Sequence, residues 1–124
     1  MRPTTLAAAL LGLASVQLIA VPALAEYGAI AWDSETGKYG ASWHKATAKS
    51  AAETAISECG ATGCKIIIRP TRFCAALAAA ADGKVVGASA RKNRDDARLA
   101  ALKDCQKRNA GECIVRVTDC NKEP

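Results

Sequence analysis

The chain has 124 residues, 50% of them hydrophobic and 23% charged, with six cysteines and one histidine. That length supports one small domain, and a formal charge of +5 is a mild bias towards anionic surfaces, not the footprint of a nucleic-acid-binding protein. No glycine-rich phosphate loop follows a strand-like run, and no acidic loop has calcium-site spacing, so no cofactor is expected.

Met1–Ala25 reads as a secretory signal peptide: Arg2 is the positive start, Leu6–Val21 the apolar run and Ala23-Leu24-Ala25 the small-residue cleavage site. Pro22 breaks the run and no basic stop-transfer cluster follows, so no transmembrane span is expected after cleavage. Residues 26–124 are then a single exported domain, periplasmic or extracellular. Of the 17 basic side chains only Arg2 leaves with the leader, so the mature charge is +4. All six cysteines lie in this part, and an even count in a short exported chain implies three disulfides.

Tyr27–Trp32 and Tyr39–His44 read as a hairpin around Asp33–Lys38, with Gly37 available for positive φ. Thr47 is a helix N-cap, and Ala48–Cys59 places Ala48, Ala51, Ala52, Ala55, Ile56 and Cys59 on one face at helical spacing. Gly60 stops the helix, and Cys64–Arg69 is a strand ended by Pro70. Ala75–Ala81 has helical propensity, but it aligns with the first strand and is followed by the hairpin signal Asp82-Gly83, which predicts a strand. Val85–Ala90 returns. Arg94–Cys105 is a second helix capped by Asn93, and Cys113–Thr118 a last strand.

The chain therefore repeats itself. Residues 27–69 and 73–118 are each strand–strand–helix–strand, with Thr47, Cys59 and Cys64 matching Asn93, Cys105 and Cys113. One residue is slipped between the copies in the hairpin, and Trp32 is matched to Ala78, Trp43 to about Ala90 and His44 to Arg91. The predicted fold is α+β: a mainly antiparallel sheet with both helices packed on one face. The repeat pairs Cys59 with Cys64 and Cys105 with Cys113, leaving Cys74 with Cys120. A cross-repeat pairing, Cys59 with Cys105, competes if the helices lie side by side.

Tyr27-Gly28-Ala29-Ile30-Ala31, the Gly37…Tyr39-Gly40 hairpin, the alanine-rich helix into Cys59 and Cys64 before an aliphatic strand resemble the bacterial family called domain of unknown function 4189. The resemblance covers the mature chain. It implies an exported, disulfide-bonded domain and no catalytic residues. Members often place aromatics in the second hairpin too, whereas Ala78–Ala81 and Val85-Val86 are aliphatic here.

Three groups of residues offer chemistry. Ser42 lies two residues from His44, on one face of a strand by alternation, which raises a small hydrolase. Trp32, Tyr39 and Trp43 concentrate aromatics in the first hairpin, either as core or as a platform for a sugar or protein. Arg91, Arg94 and Arg98 gather near the start of the second helix and suit an anionic polymer, a lipid surface or an acidic protein. The cysteine spacings do not fit common zinc sites, so no metal is expected. The leading expectation is a non-enzymatic binding module of the bacterial envelope, inhibitor- or immunity-like. Its partner would be an envelope protein or an anionic or carbohydrate polymer. The alternatives are the Ser42/His44 hydrolase and a structural or stress-related protein with no discrete site.

Overall fold

In the computed structural model, the described residues are 3, 12–15, 26–109 and 111–121. The predicted leader 1–25 therefore lies almost wholly outside them. The elements are β1 (Tyr27–Trp32), β2 (Tyr39–Lys45), α1 (Ala48–Cys59), β3 (Lys65–Thr71), β4 (Cys74–Ala79), β5 (Val86–Arg91), α2 (Arg94–Arg108) and β6 (Ile114–Cys120). The class is α+β, and the two strand–strand–helix–strand units are present.

Local chemistry sets the helix ends. Thr47 Oγ1 accepts the Ser50 amide at 3.0 Å, and Gly60, at φ +71°, gives its N–H to the Ile56 carbonyl. Asn93 Oδ1 accepts the Asp96 amide at 2.8 Å, while its Nδ2 donates to the Asp96 carboxylate. Asp95 and Asp96 at the first turn, and Lys107 and Arg108 at the last, suit the helix dipole and carry α2 past Cys105 to Arg108. The disulfides join Cys59 to Cys64, Cys105 to Cys113 and Cys74 to Cys120. The last bond ties two directly paired residues of β4 and β6.

The layers differ from a single sheet. There are two three-stranded antiparallel sheets, ordered β2-β1-β3 and β5-β4-β6. They pack face to face, each with its own helix outside, so the helices lie on opposite sides of the molecule. The reason is in the burial. Ala29 and Ala31 face α1, and Ala76 and Ala78 face α2. Ile30 meets Ala75, Leu77, Ala79 and Val86 between the sheets. Every residue of β4 is buried, because both of its faces are covered. That double burial, with strand pairing on both edges, makes a strand of an alanine run that would otherwise favour helix. Gly40 and Gly87 bring each helix onto its sheet: a Cβ there would run into the Cys59 amide and Ala55 carbonyl, or the Cys105 amide and Ala101 carbonyl.

The one-residue difference between the units lies at His44. The pairing Tyr27 with Lys45 and Ala29 with Ser42 leaves Trp43 and His44 opposite Gly28, a β-bulge, and His44 sits at φ 56°. In the second unit β4 and β5 pair without a shift, Cys74 with Arg91 through Ala79 with Val86. His44 is thus the inserted residue, the counterpart of Arg91 is Lys45, and Trp32 corresponds to Ala79, not Ala78. Strand ends also move by a residue or two: β4 is Cys74–Ala79, so Ala80 and Ala81 lie in the turn; β3 continues through Pro70, tolerable because β3 is an edge strand; β2, β5 and β6 run on to Lys45, Arg91 and Cys120.

The bulge is held by the other unit. Fully buried Asn121 accepts the His44 amide at 3.1 Å and donates from Nδ2 to the Phe73 carbonyl at 2.9 Å. At the opposite end, Trp32 Nε1 donates to the Gly83 carbonyl at 2.7 Å. These two polar links fix one sheet over the other.

Candidate functional site

The bulge separates the two members of the serine–histidine pair. Ser42 faces inward beneath α1, where its hydroxyl donates to the Ala51 carbonyl at 2.6 Å and accepts the Ala29 amide at 3.1 Å. His44 is exposed, and its Nδ1 lies 2.9 Å from Glu26 Oε2. Strand alternation would have put both on one face, but the positive φ at His44 breaks the alternation.

The aromatics also divide. Trp32 and Trp43 are half-buried and pack against the core between the sheets. Tyr39 pairs across from Trp32 and is 37% exposed. Trp43 fills the inner face along β2, where the matching residue of β5 is Ala90.

Helix α2 splits the arginine group. Arg94 pairs with Asp119 of β6 at 3.2 Å, and Arg98, one turn on, shares that flank. Arg91 lies on the other flank, in an open groove of about 400 Å³ between β5 and α2. Ala100, Lys103, Asp104 and Lys107 form the helix wall of this groove, so Arg91 is joined by two lysines distant in sequence. The helical spacing of Ala100, Lys103, Asp104 and Lys107 was readable, but only the fold shows that this flank faces Arg91. One carboxylate interrupts the positive field: Asp104 pairs with Arg108 at 3.4 Å and accepts the Ala88 amide at 3.4 Å.

The repeat supplies an internal comparison. In the first unit the matching positions are Lys45, Thr54, Ser57 and Glu58, and Lys107 has no helical counterpart because α1 ends at Cys59 while α2 runs on to Arg108. The two lysines of the helix wall are therefore absent from the twin. The scaffold, with its glycine contacts, caps and disulfides, does not require them. Among the described residues no group of three or more His, Cys, Asp or Glu side chains could hold a metal ion, and no helix is long and apolar enough to cross a membrane.

The family described as domain of unknown function (DUF4189) matches residues 27–120. Uncharacterized proteins of Mycobacterium bovis and of two strains of Mycobacterium tuberculosis are each 40% identical over 58 residues, which is 47% of this chain and 39% of the relative. The chain thus covers well under half the length of these curated relatives. No solved structure matches it significantly.

Proposed function

The chain belongs to the DUF4189 family, and from that premise we propose that it is an exported, non-enzymatic binding module whose contact face is the basic groove of the second unit. The observation that carries this is the asymmetry of the twins: Arg91, Lys103 and Lys107 line the groove, where the first unit has Lys45 and Ser57 and its helix stops at Cys59, short of any counterpart of Lys107. Exposed lysines cost nothing to omit from a scaffold, so their placement around one groove points to an acidic partner. Three disulfides and the leader-like pattern of residues 1–25 support export to the periplasm or beyond. The commitment of the Ser42 hydroxyl to two backbone groups supports binding over hydrolysis. An inhibitor- or immunity-like protein acting on an acidic envelope protein is the finer form of this reading.

Retention on immobilised poly-glutamate tests it. The wild-type protein should be held at low salt and released as salt rises, because charge contacts at an open surface are screened. The variant K103S/K107A, which removes both lysines of the helix wall, should elute at distinctly lower salt. Equal retention of variant and wild type would refute the groove as the contact face.

A further inference from the structure

We propose that the outer edge of β5 docks an extended peptide segment of another protein, by strand addition, and selects side chains that alternate acidic and apolar. This rests on the basic-groove reading and specifies its ligand. Among the described residues, β5 is an edge strand with no strand on its outer side. The Ala88 amide points outward, as its contact with Asp104 shows, so alternation also turns the backbone groups of Val86 and Ala90 outward. Side chains already occupy part of this edge. Asp104 accepts the Ala88 amide at 3.4 Å, longer than the usual N–H···O distance, and the Arg91 guanidinium donates to the Ala90 carbonyl at 2.8 Å. Both are places that an incoming strand's carbonyl and N–H would fill.

Two different grooves flank that edge. On the α2 side is the basic groove with Arg91, Lys103 and Lys107. On the inter-sheet side is a cleft of about 260 Å³ lined by Trp32, Ile67, Val86 and Ala88, with Asp104 and Arg108 at its rim. Successive side chains of an added strand point to opposite faces. One set would enter the basic groove and the other would reach the Trp32 cleft. The occupant is therefore defined by charge complementarity on one face and apolar contact on the other. The first unit lacks this arrangement. Its edge strand β2 is broken by the His44 bulge, and Trp43 and Ala41 pack into the space between the sheets. A bulge and bulky rings are means of blunting an edge.

The test uses a soluble blocked peptide alternating glutamate with valine, read by tryptophan fluorescence of a Trp43→Phe variant, which leaves Trp32 as the reporter, and by calorimetry on the disulfide-bonded protein. Binding is expected, about tenfold weaker in K103S/K107A, the loss expected from two partly screened charge contacts. Methylating the peptide's backbone nitrogens on the pairing edge should abolish it. A lysine introduced into the twin as S57K should add no second site, because the β2 edge is blunted. If a peptide of the same composition with its glutamates and valines in separate blocks binds equally well, or the methylated peptide still binds, strand addition is overturned. In that case poly-glutamate retention and its dependence on Lys103 and Lys107 would still stand. If the protein self-associates through β5 and dilution alone exposes the peptide site, the occupant is a second copy and the proposal fails.

Discussion

Replacing Asn121 by alanine should loosen the joint between the two units more than any other single polar truncation. Asn121 is fully buried, and its side chain answers one group from each unit, the His44 amide at 3.1 Å and the Phe73 carbonyl at 2.9 Å. Alanine is too short to reach either. The Phe73 carbonyl keeps the backbone amide of residue 121 as a donor at 3.2 Å, so the His44 amide is the group left without a partner, which costs roughly 1–3 kcal/mol. The His44 residue itself is exposed, so its amide can recover some hydration and belongs at the lower end. With the lost second bond to the Phe73 carbonyl, worth about 0.5–1.5 kcal/mol, the sum is about 1.5–3 kcal/mol, a large share of the roughly 5–15 kcal/mol that holds a typical domain. For a domain near 100 residues that lowers the melting temperature by about 8–15 °C. Denaturant unfolding of the oxidised protein measures it, with the midpoint falling and the slope unchanged. Gly28→Ala should also destabilise, since its Cβ would lie 2.5 Å from both Asn121 Oδ1 and the Ser42 carbonyl. A loss below about 0.5 kcal/mol for Asn121→Ala would refute the idea that this residue locks the units, since that is the range of an ordinary surface change.

Removing the Cys74–Cys120 bond, which spans 46 residues, should cost about 4 kcal/mol by chain entropy, against roughly 2–3 kcal/mol for Cys59–Cys64 or Cys105–Cys113, spanning 5 and 8. Paired Cys→Ala variants in chemical denaturation give this ranking, and an inverted order would contradict it. Ser42→Ala should cost about 1–3 kcal/mol, because it strips the Ala29 amide of its partner under α1. Binding to poly-glutamate should be unchanged, and weaker binding by the folded variant would count against placing the contact face on the second unit. Gly87→Ala should prevent α2 from seating on its sheet, since the new Cβ meets the Cys105 amide and Ala101 carbonyl. Loss of hydrogen-exchange protection along α2 reports it, and protection at the wild-type level would show that the backbone gives way cheaply.

The features that depend on near neighbours were determined by the sequence. Thr47 and Asn93 cap helices because their side chains reach amides three residues on. The repeat is visible because both units need glycine under the helix and cysteines at its end. The placement of Ala75–Ala81 as a strand came from that repeat, against its own propensity. The stacking of two sheets was not legible. An alanine run such as Cys74–Ala79 reads the same on both faces, so it cannot say that one face meets a helix and the other a second sheet. The bulge at His44 was equally hidden, because one added residue reverses the faces of its strand neighbours and only pairing across the strands locates it. The arginines seemed to form one group because they are close in sequence. In the fold, α2 sends Arg94 to Asp119 and leaves Arg91 facing Lys103 and Lys107. Caps, periodicity and cysteine spacing are local, and the sequence alone decides them. A groove between an edge strand and a helix is made by residues far apart, and only the tertiary structure brings its charges together.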